Sequence, residues 1–168
     1  TPSNSSAASD VYKRQPYITA LGDSGFIWVV ICFVLLARKK TRRAGIFCGL
    51  SLLIAYVSGE VVLKNLIQRP RPFTLLPGVS LLIPPPGSSS FPSGHTGSSF
   101  ACAAAIFLLN KKWGVPALAL AALIAFSRLY LSVHYPTDLL AGALLGVGSA
   151  LLARWLCRRL LPRTPGEG

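Results

Sequence analysis

Five long apolar stretches, separated by polar segments, dominate the pattern of this chain. They cover residues 25–37, 44–63, 94–109, 113–133 and 139–156. A membrane-spanning helix needs about 20 apolar residues, within a range of roughly 17 to 25. The second, fourth and fifth stretches reach that length, whereas the first and third must include flanking residues. The pattern therefore predicts an all-α integral membrane bundle of about five transmembrane helices.

A soluble bundle of buried helices is the alternative interpretation of this pattern. The five stretches carry almost no charge, which leaves too few polar faces for a soluble surface. Composition agrees, because 52% of the 168 residues are hydrophobic and 13% are charged. This composition also excludes a disordered chain. We predict one membrane domain over residues 17–160, with a polar, disordered tail at 1–16 and a cytoplasmic tail at 161–168.

The net charge of +12 would ordinarily indicate a nucleic-acid partner. The positions of the cations favour a different explanation. Eleven of the 17 Lys and Arg residues follow alternate stretches and would share one side of a membrane: Arg38, Lys39, Lys40, Arg42, Arg43, Lys111, Lys112, Arg154, Arg158, Arg159 and Arg163. Positively charged loops stay in the cytoplasm. We therefore expect no nucleic-acid partner, and we expect connections 64–92 and 131–138 on the extracytoplasmic side.

Polar residues next to a membrane are functional candidates, and a first group closes the second predicted helix. Lys64 and Arg71 lie there, and Glu60 precedes Lys64 by one helical turn, at the spacing of an ion pair. A lysine that snorkels from a helix end is the alternative for Lys64. Both Arg69 and Arg71 precede a proline, so two arginines are candidates for binding an anion.

A second group opens the third predicted helix. Ser93 suits the N-cap position, Gly94 allows a ligand close to the backbone, and His95 follows directly. Free amides at a helix N-terminus bind anions. A plain capped helix start is the alternative for this group.

A third group lies between the fourth and fifth predicted helices. Ser127 and Arg128 end one helix, His134 precedes the next, and Asp138 lies in its first turn. The carboxylate can accept a proton from one imidazole nitrogen and orient the ring. A helix-dipole cap is the alternative for Asp138. Taken together, the three groups predict a phosphate pocket that contains both histidines of the chain.

These motifs resemble those of the type 2 phosphatidic acid phosphatase (PAP2) family, whose site is similar to that of vanadium haloperoxidases. K-x6-R-P runs from Lys64 to Pro72, P-S-G-H occupies residues 92–95, and S-R-x5-H-x3-D occupies residues 127–138. The family spacing selects Arg71 rather than Arg69 as the phosphate ligand. The resemblance implies a helical core of the PAP2 and haloperoxidase type.

The resemblance also implies a two-step phosphatase that needs no metal and no other cofactor. His134 would attack phosphorus, Asp138 would orient its ring, and His95 would act first as acid and then as base. The implied phosphate ligands are Lys64, Arg71, Ser93, Gly94 and Arg128. We assign supporting roles to Ser127 and Glu60.

The sequence around the motifs resembles that of bacterial undecaprenyl-diphosphate phosphatases within this family. This implies hydrolysis of undecaprenyl diphosphate to undecaprenyl phosphate at the extracytoplasmic face of the plasma membrane. Phosphatidic acid and phosphatidylglycerophosphate stay open as substrates, because the motifs contact phosphate and not the lipid tail. A vanadium-dependent haloperoxidase and a non-catalytic lipid-binding or channel protein are alternatives of other classes. The loop at 73–91 is expected either to border the substrate entrance or to be a plain surface loop.

Overall fold

A computed structural model describes residues 25–75, 81 and 83–160 of the chain, and these residues form helices and no strand. The helices are α1 (Phe26–Ala37), α2 (Arg42–Tyr56), α3 (Lys64–Ile67), α4 (Pro72–Leu75), α5 (Gly94–Leu109), α6 (Lys111–Tyr130) and α7 (Pro136–Leu160). A π-helical segment, Val57–Leu63, joins α2 to α3 without a break. The predicted all-α fold is confirmed, and the predicted tails at 1–16 and 161–168 lie outside the described residues.

Several of these helices are long and apolar enough to cross a membrane. Among the described residues they are Arg42–Leu75, Lys111–Tyr130 and Pro136–Leu160, while Phe26–Ala37 and Gly94–Leu109 are shorter apolar helices. Large apolar side chains such as Phe33, Leu123 and Leu144 point outward from the bundle. An apolar exterior of this kind suits lipid rather than water.

The ends of α6 and α7 differ from the predicted stretches. Helix α6 begins earlier than predicted because the Asn110 side chain caps it, accepting hydrogen bonds from the amides of Lys112 (2.9 Å) and Trp113 (3.4 Å). It also ends earlier, since the chain turns through Ser132 with a left-handed φ of 56°. Helix α7 is longer than the predicted stretch at 139–156. It begins at Pro136 and ends at Leu160, and the added turns contain polar residues that a hydropathy pattern does not detect.

Helix α5 lies at the centre of the bundle, where it packs against α2, α6 and α7. Its small side chains allow this, and those that are buried include Ala101, Cys102, Ala103, Ala104 and Ala105. Helix α1 is tied to α5 by a buried hydrogen bond in which Trp28 Nε1 donates to Ser99 Oγ at 2.9 Å.

Two glycines of α7 allow its close approach to α5. A Cβ at Gly142 would lie 2.7 Å from the Ser93 carbonyl oxygen, and a Cβ at Gly146 would lie 2.5 Å from the Gly97 carbonyl oxygen. Small residues four positions apart commonly mediate such contacts between membrane helices. The Ser93 amide also donates to the Asp138 carbonyl at 3.1 Å. The P-S-G-H motif and Asp138 therefore meet at the same end of the bundle.

We expect Gly146→Ala to destabilise the bundle, because its new methyl group would overlap the backbone of α5. Overpacking of this kind costs about 1–3 kcal/mol. Gly148→Ala is the matched control, since a Cβ at Gly148 meets nothing within 4 Å. Thermal unfolding in detergent measures both variants. Equal unfolding temperatures for the two variants would contradict the close packing of α7 against α5.

Candidate active site

A cavity of about 740 Å³ lies at the end of the bundle where α6 ends and where α5 and α7 begin. Its lining includes most of the predicted site residues, namely Glu60, Lys64, Arg71, Ser93, Gly94, His95, Arg128 and His134. Asp138 is fully buried and contacts His134 from its other side. Ser127 is not among the described residues that line the cavity. The structure thus brings the three sequence motifs together around one space.

The π-helical segment places Glu60 next to Lys64, the first residue of the K-x6-R-P motif. The Lys64 amide donates to the Gly59 carbonyl, five residues earlier, which is the hydrogen-bond pattern of a π-helix. Lys64 Nζ lies 2.7 Å from Glu60 Oε1 and 2.9 Å from Oε2, so the predicted ion pair is present. Lys64 Nζ also donates to Ser88 Oγ at 3.2 Å. The Glu60 carboxylate fills the space beside Gly94, where any side chain would overlap it.

Arg71 is held by several hydrogen bonds beside the histidine of the third motif. Its side chain is buried, and Nε donates to the Ser88 carbonyl at 2.8 Å. One terminal nitrogen donates to the Val133 carbonyl at 3.0 Å and lies 3.3 Å from His134 Nε2. Arg69 instead contacts Asp138, at 2.8 Å. The geometry therefore agrees with the family spacing in selecting Arg71 as the cation that faces the cavity.

The two nitrogens of the His134 ring have different surroundings. Nδ1 lies 3.6 Å from Asp138 Oδ2 and 3.5 Å from Ser90 Oγ. Ser90 Oγ in turn donates to Asp138 Oδ2 at 2.5 Å, and the Tyr135 amide donates to the same oxygen at 2.9 Å. We assign the ring proton to Nδ1, because a carboxylate oxygen is the acceptor on that side. The lone pair of Nε2 then points toward Arg71 and the cavity.

Burial lowers the pKa of His134 below its ordinary value, and the charges of Arg71 and Arg128 lower it further. Asp138 opposes this effect by stabilising the protonated ring. The net result is an imidazole that is neutral at neutral pH. A nucleophilic or basic histidine needs this state, since the protonated ring has no lone pair to offer.

The acid limb of the pH profile of kcat/KM is expected to follow the pKa of His134. In Asp138→Asn the midpoint of this limb should move to lower pH, because the group that raises the His134 pKa is lost. The turnover number should fall at the same time. The measurement is the pH profile of kcat/KM for the wild type and for Asp138→Asn with the same substrate. Ionisation of the substrate then affects both profiles equally. Movement of the acid limb to higher pH in Asp138→Asn would contradict the assignment of this limb to His134.

Helix α5 presents its N-terminus to the cavity. Ser93 Oγ accepts hydrogen bonds from the Thr96 amide at 3.5 Å and the Thr96 hydroxyl at 3.0 Å, which is the predicted cap. Gly94 and His95 are the first two residues of the helix. Gly94 and His95 therefore line the same space as Arg71, at a helix end whose free amides can bind an anion.

Arg128 reaches the cavity from the last turn of α6, and its side chain is buried. The neighbouring Ser127 hydroxyl donates to the Ile124 carbonyl at 2.7 Å, within the same helix. This hydrogen bond reinforces the turn that carries Arg128, and the supporting role of Ser127 stays a prediction.

Ser88 and Ser90 are functional candidates that sequence reasoning missed. Ser88 contacts both Lys64 and Arg71, and Ser90 contacts Asp138. The available signal was a run of three serines, separated by Phe91 from the P-S-G-H motif. Proline-rich loop residues also line the cavity, which supports the expectation that this loop borders the entrance. They are Ile83, Pro84, Pro85 and Pro86.

Metal-binding side chains do not cluster in the described part of the chain. Over residues 25–75, 81 and 83–160, no group of three or more His, Cys, Asp or Glu could hold an ion. The expectation of a reaction without a cofactor stays a prediction.

Comparisons with known proteins agree with the motifs. The chain is 38% identical over 122 residues to an undecaprenyl-diphosphatase of Sulfolobus acidocaldarius, covering 72% of this chain and 59% of the relative. It is 37% identical over 144 residues to the bacitracin transport permease protein BcrC of Bacillus licheniformis, covering 86% of this chain and 67% of the relative. The chain therefore spans about three fifths to two thirds of the length of these relatives.

The fold matches a solved structure as well. The chain superposes with a TM-score of 0.73 on a transmembrane PAP2 type phosphatidylglycerolphosphate phosphatase from Bacillus subtilis, at 25% identity, covering 97% of this chain and 91% of the other. The family model of the PAP2 superfamily matches residues 44–161, a segment that contains all three motifs. This membrane protein belongs to the PAP2 superfamily.

Proposed function

We propose that this chain is a membrane lipid phosphatase that transfers a phosphoryl group to His134 and then to water. The observation that carries this proposal is the two-sided environment of His134. Its Nδ1 faces the Asp138 carboxylate, while Nε2 faces the cavity 3.3 Å from an Arg71 nitrogen. A ring held in this way is an activated nucleophile next to a cation that attracts phosphate.

In the first step, the lone pair of His134 Nε2 attacks the terminal phosphorus. An N–P bond forms and the P–O bond to the lipid breaks. The protonated His95 ring gives its proton to the leaving oxygen. This step produces a phosphohistidine and a lipid that has lost one phosphoryl group.

In the second step, the now neutral His95 removes a proton from water. The water oxygen attacks the phosphorus of phosphohistidine, and the N–P bond breaks. Inorganic phosphate leaves, while His134 is neutral and His95 is protonated again. Both histidines therefore return to their initial states.

Charge on the transferred phosphoryl group is balanced by fixed donors. Among the described residues, the cations that line the cavity are Lys64, Arg71 and Arg128. The Ser93 hydroxyl and the Gly94 amide add neutral donors. Each well-placed donor of this kind stabilises a transition state by about 3–4 kcal/mol. In this proposal these donors replace a metal ion.

Undecaprenyl diphosphate is the proposed substrate, and undecaprenyl phosphate is the proposed product. The name of the Sulfolobus relative supports this choice. The cavity also has an apolar side, to which Ala55, Tyr56 and Leu145 contribute. A lipid could keep its tail in the bilayer while its phosphate enters from that side. Phosphatidylglycerophosphate is the second candidate, because the superposed Bacillus subtilis enzyme is named for it.

The proposed location is the bacterial plasma membrane, with the site on the extracytoplasmic side. The cations at 38–43, 111–112 and 154–159 lie at the end of the bundle opposite the cavity. Positively charged loops favour the cytoplasm, which supports this orientation.

A phosphate-release panel on detergent-solubilised protein tests the proposed function. We expect release from undecaprenyl diphosphate to exceed release from phosphatidylglycerophosphate and phosphatidic acid, and to continue in excess chelator. Vanadate should inhibit, because it adopts the trigonal-bipyramidal geometry of phosphoryl transfer. Complete loss of activity in chelator would contradict the metal-independent mechanism. A preference for glycerolipids would replace the proposed substrate but not the reaction.

A further inference from the structure

Arg69 is not among the described residues that line the cavity, but it contacts Asp138, which is buried behind the His134 ring. One terminal nitrogen lies 2.8 Å from Asp138 Oδ1 and donates to Thr137 Oγ1 at 2.7 Å. The guanidinium carbon stands 3.9 Å from the centre of the Tyr135 ring. These contacts all involve α7 and the residue directly before it. Arg69 is therefore anchored against the start of α7.

The two oxygens of the Asp138 carboxylate have separate partners. Oδ1 accepts from Arg69, whereas Oδ2 accepts from Ser90 Oγ and the Tyr135 amide and faces His134 Nδ1. Turning the carboxylate plane out of this orientation would break these hydrogen bonds. Arg69 therefore contributes to fixing the orientation of the carboxylate plane, and with it the position of the oxygen that faces the imidazole ring.

The backbone of Arg69 adds a second link to the same network. Its carbonyl accepts a hydrogen bond from the Ser90 amide at 2.9 Å. Ser90 and Asp138 are the two residues whose oxygens lie near His134 Nδ1. Arg69 thus contacts both residues that lie near His134 Nδ1. Its side chain contacts Asp138, and its backbone carbonyl accepts a hydrogen bond from Ser90.

The opposite charges of Arg69 and Asp138 also favour their contact. The Asp138 side chain is fully buried, while that of Arg69 is 34% exposed. A buried carboxylate is costly without a paired cation. Arg69 supplies that cation on the side away from the cavity, which leaves the cavity cations to a ligand.

We propose that Arg69 is a positioning residue, which holds the Asp138 carboxylate so that Asp138 can orient His134, and that it does not bind the substrate phosphate. This inference rests on the proposed role of His134 as nucleophile. The two arginines that precede a proline then have different roles. Arg71 binds the substrate phosphate, whereas Arg69 acts through Asp138 on the side of the His134 ring away from the cavity.

The charge of Arg69 also bears on the protonation of His134. Without this cation, the ring can take up a proton more readily, so its pKa should rise. Other charged or titratable groups around the ring and the cavity stay in place in an Arg69 variant. They are Asp138 from α7, Arg128 from α6, His95 from α5, Glu60 from the π-helical segment, and Lys64 and Arg71 from the first motif.

The test compares Arg69→Gln and Arg69→Lys with Arg71→Gln. In Arg69→Gln, kcat should fall about 10–100-fold, the range found for residues that orient a metal ligand through a hydrogen bond, which is the comparable arrangement. KM and vanadate inhibition should change little, and the acid limb of kcat/KM should move to higher pH. Arg69→Lys should return the limb toward its wild-type position, because it keeps the charge. Arg71→Gln should instead raise KM and weaken vanadate inhibition.

Arg159→Gln is the matched control. Its guanidinium also lies over an aromatic ring, 5.7 Å from the centre of Trp155, but at the far end of the bundle. It should leave kcat, KM and the pH profile unchanged. Weaker vanadate inhibition in Arg69→Gln, matching that of Arg71→Gln, would overturn the proposal by making Arg69 a phosphate ligand. If Arg69→Gln lowered the unfolding temperature but left kcat and the pH profile unchanged, Arg69 would stabilise the fold without positioning Asp138.

A spectroscopic measurement separates this inference from the proposed function. The chain contains two histidines, so nitrogen NMR of histidine-labelled protein can follow both rings, and His95→Gln assigns the signals. The pKa of His134 should rise in Arg69→Gln, while that of His95 should change less. An unchanged His134 pKa together with an unchanged kcat in Arg69→Gln would overturn the inference even in an active enzyme. An inactive wild-type protein with a shifted His134 pKa would instead contradict the proposed function alone.

Discussion

The variant His134→Gln is expected to lose turnover almost completely. Its kcat should fall by roughly 10⁴- to 10⁶-fold, the scale reported when a covalent nucleophile is removed. Glutamine fills much of the same volume but offers no lone pair of comparable basicity at the position of Nε2. Phosphate release from the purified variant measures the loss, with wild-type protein in the same detergent as reference.

The fold of His134→Gln must be intact for this comparison. Its thermal unfolding should resemble that of the wild type, because Arg71 still has Ser88 and Val133 as hydrogen-bond partners. A folded variant that kept about a tenth of the wild-type kcat would show that another group attacks phosphorus.

The variant His95→Gln is expected to slow phosphate release by about 10²- to 10⁴-fold, the usual contribution of general acid–base catalysis. Its effect should depend on the substrate. A diphosphate loses a lipid phosphate, which leaves as a stable anion and needs little help from an acid. A lipid phosphomonoester loses an alkoxide, which must be protonated as it leaves.

This difference predicts a burst in His95→Gln. With undecaprenyl diphosphate, the lipid product should appear rapidly, in an amount equal to the enzyme, before slow release of inorganic phosphate. With phosphatidic acid no burst should appear, because the first step is also slow. Rapid-quench measurement of both products checks this. A burst of equal size with both substrates would show that His95 does not protonate the leaving group.

Much of the fold could be predicted because lipid requires long apolar segments. The stretch at 94–109 coincides with α5, and α1 differs from its prediction only by Gly25. Helix ends were less predictable, since they depend on local polar contacts. The cap at Asn110 and the turn at Ser132 are examples, because neither changes the hydropathy of its surroundings.

The site residues were predictable where a motif had fixed spacing. The contact between Glu60 and Lys64 follows from one helical turn, and the position of Asp138 behind His134 follows from the start of α7. The roles of Ser90 and Arg69 were not predictable. Both depend on how the loop before α5 folds against the start of α7, and no sequence period describes that contact.

Trapping of the phosphorylated enzyme tests the central claim most directly. His95→Gln would be mixed with undecaprenyl diphosphate labelled in its terminal phosphate, quenched in base, digested and mapped. We predict one acid-labile, base-stable label on the peptide that contains His134, and none when His134→Gln is added to the variant. Phosphate release by the wild type, with no label on His134 in the trapped variant, would contradict transfer through this histidine.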